Sequence, residues 1–158
     1  LLAAEIQTPS RGEHYVGVST VPNTKDTGDK TEARVIHALI ARGYSVSIPF
    51  GDNDRYDLIV DTGTELLRVQ CKTGWREDDC VRFKTASKTT VDGTTEMRDY
   101  EDEIDAFAVR SKDDGELYWV PEKDAGRKST YLRIVEPQID HPGVNLAAEY
   151  VFDSNLPE

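Results

Sequence analysis

The chain has 158 residues, 30 of them acidic and 19 basic, with a formal net charge of −11 and a pI near 4.7. That length suits one domain with its own core, since single domains cluster at roughly 100–150 residues. The charge excludes a uniformly basic nucleic-acid binder, because affinity for a phosphate backbone comes from Lys and Arg. Two cysteines, Cys71 and Cys80, are too few for a disulfide scaffold or a zinc site.

Residues 1–22 are polar, carry Pro9 and Pro22 and show no period, so they read as an extension ahead of a domain spanning 23–158. The opening LLAAEIQTPSRGEHYVG has neither a basic start nor a sustained apolar stretch, which argues against a signal peptide. No apolar run approaches the roughly 20 residues of a membrane span. Asp outnumbers Glu 17 to 13 and Arg outnumbers Lys 11 to 8. This balance suits a surface adapted to high salt, where the screening length falls to about 3 Å at 1 M, and an ordinary acidic cytosolic protein is the plainer reading. On the saline reading we expect a cytoplasmic protein of a halophilic archaeon or its virus.

Residues 29–42, DKTEARVIHALIAR, read as a helix, with Ala33, Ile36, Leu39 and Ile40 at helical spacing. Asp29 and Glu32 form a capping-box-like start, and Gly43 marks the stop. YSVSI alternates and reads as a strand; PFGDNDR is a loop. YDLIVD, residues 56–61, and LLRVQCK, residues 66–72, read as two strands joined by a tight turn. CVRFKTAS, residues 80–87, alternates Val81, Phe83 and Thr85 and reads as a fourth strand, with a polar loop, TTVDGTTEMRDYED, after it. IDAFAVR and ELYWVP, joined at KDDG, read as a second hairpin, YLRIV as a further strand and VNLAAEY as a short closing helix. The order predicts an α/β domain: a mixed sheet flanked by helices, its central strands buried on both faces.

The first hairpin gathers chemistry. Its antiparallel return sets Asp57 beside Gln70 and Lys72, which are two apart and so point to one face. A hard cation such as Mg²⁺, or Mn²⁺ in its place, takes oxygen ligands and keeps several waters. Asp57, the Gln70 amide oxygen and the Cys71 carbonyl can supply ligands. Lys72 can orient water or stabilise charge developing on a phosphate. Glu32 joins them if the N-terminal end of the helix reaches the same edge. Plainer readings stand beside these: Asp57 as a strand-start residue, Gln70 as an edge amide, Lys72 as an edge charge, Glu32 as a cap. Arg55, Thr73, Arg76, Arg82, Lys84 and Lys88 are candidates for phosphate or base-edge contacts, or for a solvated face. Arg82 and Lys84 alternate onto one side of their strand, opposite Val81 and Phe83. His14, His37 and His141 show no ligand spacing, His37 reading as structural; Cys71, Cys80, Tyr118 and Trp119 read as core.

Glu32 on a helix, Gly43-Tyr44 ahead of a strand, Asp57, Lys72 at a strand end and the later strands over 104–121 resemble, together, the PD-(D/E)XK nuclease superfamily. The resemblance covers about residues 23–121 and is to the branch of group I intron homing endonucleases, related in fold to archaeal Holliday-junction resolvases. Two positions depart from the superfamily pattern. Tyr56 stands where a proline precedes the motif aspartate, and Gln70 takes the (D/E) position, as it does in the intron-endonuclease branch. The resemblance implies a restriction-endonuclease-like core and hydrolysis of a DNA phosphodiester by in-line attack of water. Glu32 and Asp57 would hold Mg²⁺, and Lys72 would position the nucleophile. It implies double-stranded or branched DNA as partner. The enzyme would be a homing or mobile-element endonuclease or, alternatively, a junction resolvase; with Gln70 marking lost catalysis, the chain would be a DNA-binding module. A double-strand break needs two sites, so a homodimer or higher symmetric oligomer is expected.

Overall fold

The structure, a computed structural model, describes residues 23–137, 139 and 143–158. The expected N-terminal extension, His14 and His141 lie outside these residues. Asn23 opens the first helix by accepting the Lys25 N–H on its side chain at 3.0 Å, and α1 runs Thr24–Ala41. The helix therefore starts well before Asp29, and Asp29 and Glu32 are interior residues rather than a cap. Asn is among the strongest N-caps, and the interior Gly28 costs only about 1 kcal/mol against that start. Gly43, at φ 89°, closes the helix by donating its N–H to the Ile40 carbonyl at 2.9 Å.

The buried face of α1 is Thr31, Val35, Ala38 and Leu39, while Ala33 and Ile40 of the expected face are exposed. The face is rotated because a polar residue anchors it. The Thr31 hydroxyl meets the Thr73 hydroxyl at 2.7 Å, tying the helix to the sheet. His37 is exposed.

The strands are β1 Ser45–Ser47, β2 Leu58–Asp61, β3 Leu66–Glu77, β4 Cys80–Lys84, β5 Ala86–Val91, β6 Thr94–Asp99, β7 Ala106–Ser111, β8 Leu117–Pro121 and β9 Ser129–Arg133. Seven of them form one sheet, ordered β1-β2-β3-β4-β9, with β7 on β3 and β8 on β7. β3 runs five residues past the expected end at Lys72 and serves three partners. It pairs antiparallel with β2, parallel with β7 from Val69↔Ala106 to Gly74↔Ser111, and antiparallel with β4 from Trp75↔Arg82 to Glu77↔Cys80.

Backbone groups alternate between the two edges of a strand. The Val69 carbonyl accepts the Asp57 N–H on the β2 side, whereas the Arg68 and Gly74 carbonyls accept Asp105 and Lys112 N–H groups on the β7 side. Trp75 and Glu77 thus meet β4 on the same edge that carries β2. β2 and β4 lie one after the other along that edge, and the backbone of Cys71 and Thr73 faces the gap between them.

The expected fourth strand breaks at Thr85, whose N–H donates to the Lys128 carbonyl at 3.1 Å. The segment beyond the break is no loop: β5 and β6 pair only with each other and form a separate ribbon. Its tip is Asp92-Gly93, with φ 50° and 78°. Two positive φ values are what a type I′ hairpin requires, and Asp-Gly is a preferred pair for it.

The sheet buries a core on each face. Val35, Leu39, Leu58, Val60, Val69, Trp119 and Phe152 pack on the α1 side. Val81, Phe83, Tyr100, Phe107, Val109, Val120 and Leu132 fill the other. Strand β7, between β3 and β8, is buried on both faces, as expected of the central strands, and β8 at the sheet's edge is buried on both faces as well. Tyr118, Trp119 and Cys71 are core residues, while Cys80 is only half-buried. A 3₁₀ turn at Ala147–Tyr150 and a short helix, α2 Phe152–Asn155, close the chain, with the Phe152 ring edge-on to Trp119 at 5.9 Å. No helix among the described residues is long and apolar enough to cross a membrane.

Two glycines have opposite expected responses to alanine. A Cβ at Gly28 would meet nothing within 4 Å, so Gly28→Ala removes a helix-interior glycine and should raise stability by about 1 kcal/mol, or Tm by about 2–4 °C. A Cβ at Gly74 would sit 2.7 Å from Val81 Cγ1 and 3.3 Å from Val109 Cγ1, so Gly74→Ala should lower Tm. Thermal denaturation of both variants checks the pair.

Candidate active site

Asp57 stands one residue ahead of β2, where its backbone N–H bonds to the Val69 carbonyl at 2.9 Å. Its carboxylate turns along the free edge of β3. Oδ2 accepts the Gln70 Nε2–H at 2.6 Å and the Cys71 backbone N–H at 2.8 Å. Oδ1 has no partner among the described residues. The antiparallel return thus brings Asp57 onto Gln70, as the sequence predicts. Lys72 lies near enough to Asp57 to favour its charged form electrostatically, yet its ammonium is held elsewhere. Nζ donates to the Tyr100 hydroxyl at 2.9 Å.

Glu32 reaches the same place from the middle of α1, not from its end. Together with Asp57 it lines a cleft of about 300 Å³ whose other walls are Ile48, Pro49, Gly51, Asp52, Asp54 and Tyr56. Glu32 makes no hydrogen bond or ion pair among the described residues. Burial raises its pKa above the ordinary 4.5, and the nearby charges of Asp57 and Asp29 add to the rise. Asp57 is likewise raised above 3.8, chiefly by burial, against the pull of its bond to Cys71, of Lys72 and of Gln70. Asp52 and Asp54, exposed at the mouth, add to the negative field and belong to no motif in the sequence.

Two half-buried carboxylates with raised pKa and little cationic compensation are suited to a bound cation. The described residues form no metal-binding cluster of three or more His, Cys, Asp or Glu, so no zinc-type cage is built among them. The pair fits a hard ion that takes one or two carboxylates and keeps its waters. Asp57 Oδ1, the Glu32 carboxylate and the Cys71 carbonyl face the site's edge as oxygen donors. Gln70 as it stands offers its NH₂ to Asp57, so its oxygen would serve only after the amide turns over.

The six expected DNA-contact residues fall into two groups. Arg55, Thr73 and Arg82 are spent on the fold. Arg55 binds Glu103 at 2.6 Å, the Ser87 hydroxyl at 2.6 Å and the Asp99 carbonyl, and its guanidinium lies 4.2 Å over the Tyr100 ring. Thr73 bonds to Thr31. Arg82 pairs with Glu77 at 2.9 Å and stacks near Trp75 and Tyr131. Arg76, Lys84 and Lys88 are exposed and form no ion pair among the described residues. Lys84 does share the Arg82 face opposite Val81 and Phe83, and Lys88 lies on the β5–β6 ribbon. Tyr100 was missed in the sequence because it sits in an acidic run, RDYED, with no periodicity to mark it.

A family model described as PD-(D/E)XK endonuclease matches residues 22–153. Among solved structures, a bacterial homing endonuclease, I-Ssp6803I, is similar in fold, with a TM-score of 0.67 and 21% identity over 82% of this chain and 88% of that one. None of the curated protein sequences matches the chain. The expected restriction-endonuclease-like core is thereby borne out.

The raised carboxylates give a signed test. A raised pKa means that the group favours folding while protonated and loses that contribution as pH rises through its folded value. In EDTA, Asp57→Asn should therefore melt above the wild type at pH 8. The gap should close as pH falls toward the ordinary carboxylate range. Thermal melts at a series of pH values measure it.

Proposed function

The chain belongs to the PD-(D/E)XK endonuclease family, and from that premise we propose that it hydrolyses DNA phosphodiester bonds with a divalent cation, Mg²⁺ or Mn²⁺, as a homing-type or mobile-element nuclease. The observation that carries the reading is Asp57 held by Gln70 at the strand-edge gap, with Glu32 across the same cleft and the Lys72 charge near enough to act on Asp57. Glu32 and Asp57 would be the cation's anionic ligands, and the Cys71 carbonyl a neutral one. A divalent ion held there would supply Lewis-acid chemistry, polarising a phosphate oxygen and lowering the pKa of water. Lys72 supplies positive charge where the attacked phosphate gains negative charge. Gln70 holds Asp57 in place.

The β5–β6 ribbon stands beside this centre, and a two-stranded ribbon is of a size to enter a major groove. With Lys84 and Arg76, its Lys88 forms a sparse set of exposed cations in an acidic chain, suited to DNA contact at raised salt, where surface repulsion is screened. The homing reading draws on the bacterial homing endonuclease of like fold, of whose length 88% is covered. Cutting both strands calls for two copies, hence a symmetric homodimer or higher oligomer.

Supercoiled plasmid and a synthetic four-way junction, each with Mg²⁺ or EDTA at low and molar KCl, test the reading. We expect Mg²⁺-dependent cutting that falls at least about 100-fold in Lys72→Ala, the scale of losing one transition-state charge partner. A preference for the junction regardless of sequence would move the assignment to a resolvase. No cutting by the wild type, together with no rise in Tm on adding Mg²⁺, would leave a DNA-binding module on a nuclease fold.

A further inference from the structure

Lys72 carries a flexible four-carbon stem, and an ammonium on such a stem must be held to act at one point. Asp57, whose carboxylate feels the Lys72 charge, does not hold it: the two form no ion pair within 4 Å among the described residues. Its one hydrogen-bond partner there is the Tyr100 hydroxyl at 2.9 Å, and Nζ also lies 4.8 Å from the centre of the Tyr100 ring.

Tyr100 is itself immobilised. It is 5% exposed, immediately past the end of β6. Phe107 meets the ring edge-on at 5.4 Å and 87°, and the Arg55 guanidinium lies 4.2 Å over it. Arg55 is locked by Glu103, the Ser87 hydroxyl and the Asp99 carbonyl, the last two belonging to the two strands of the ribbon at its root. It also lies two residues ahead of Asp57. A wedged ring thus presents one oxygen toward the site, and the lysine ammonium is on it.

We propose that Tyr100 is a positioning residue for Lys72, its hydroxyl holding the ammonium off Asp57 so that the carboxylate stays open to the cation and the positive charge stays where the phosphate is attacked. The inference rests on the nuclease reading, in which Lys72 acts on the phosphate. It assigns to the base of the β5–β6 ribbon a part in the chemistry, because the residue that sets Lys72 is fixed by the ribbon's own strands.

Tyr100→Phe tests it, since the ring keeps its contacts with Phe107 and Arg55 and only the hydroxyl goes. Circular dichroism and a thermal melt establish that the variant is folded. Single-turnover cleavage of the preferred DNA substrate with Mg²⁺ is then timed for wild type, Tyr100→Phe, Lys72→Ala and the double variant. We expect Tyr100→Phe to cut about tenfold more slowly with unchanged affinity for DNA. The double variant should be no slower than the Lys72 variant alone, because the hydroxyl has nothing left to place. A wild-type rate in Tyr100→Phe, or a loss that multiplies with that of the Lys72 variant, overturns the proposal. A Lys72→Ala protein that cuts as fast as wild type, or a wild type that cuts nothing, sinks the nuclease reading instead, and this inference with it.

Discussion

The structure depends on one strand being shared. β3 is twelve residues long, and its two edges serve three partners. One edge carries β7 in parallel. The other carries β2 and then β4, and these cannot meet without a break, because β2 enters from one hairpin and β4 leaves by another. The break exposes the backbone of Cys71 and Thr73, which must find partners elsewhere. The Asp57 carboxylate takes the Cys71 N–H, while at Thr73 it is the side chain, not the backbone, that docks α1. The candidate site is thus located by an unfinished sheet edge. The same hydroxyl contact that docks α1 at Thr73 brings Glu32, the residue after Thr31, over the cleft.

The second constraint is electrostatic. Burial raises the pKa of both Glu32 and Asp57, and the Asp57 charge raises Glu32 further. The neutral Gln70 is what makes this tolerable, since its NH₂ supports the Asp57 charge that a second carboxylate would oppose. A glutamate in its place would bring a third negative charge within hydrogen-bonding reach of Asp57. The acidic excess of the whole chain is a different matter. It sits largely on exposed side chains, where salt screens it, and it does not cancel the local field of a cleft.

Much of this was legible in the sequence where physics is local. The two hairpins around Asp57–Lys72 and 104–121 are given away by apolar alternation and turn residues, and the antiparallel return alone places Asp57 on Gln70. The end of α1 is marked by Gly43. Its start was not legible, because Asp29 and Glu32 mimic a capping box while Asn23 caps better. Nor was the rotation of its buried face, which is set by Thr31, a residue no hydrophobic pattern counts. The β5–β6 ribbon was hidden by its exposure: open on both faces, it has no alternation, and only Asp92-Gly93 marks it. The side chains that surround Lys72 could not be read at all. Tyr100 and Arg55 meet there through contacts across the chain, and Arg55 looks from its position like a ligand for phosphate while it is committed to Glu103.

The closing segment has a bearing on how copies of this chain meet. The outer strand β1 is only three residues long. An isolated bridge, Tyr118↔Val151, lies along β8, and another, Arg133↔Leu146, lies along β9. The main sheet therefore offers another chain only short or partly sealed margins on which to add a strand, and the last turns of the chain act as its hem. The ribbon is different: six residues in each strand with no third strand beside them among the described residues. Lys88, Glu96 and Arg98 put charge along those strands, which discourages casual pairing. Association through backbone pairing is thereby directed to the element whose root stands beside the candidate site. On this fold, the growth of an assembly and the approach of DNA would compete for one ribbon.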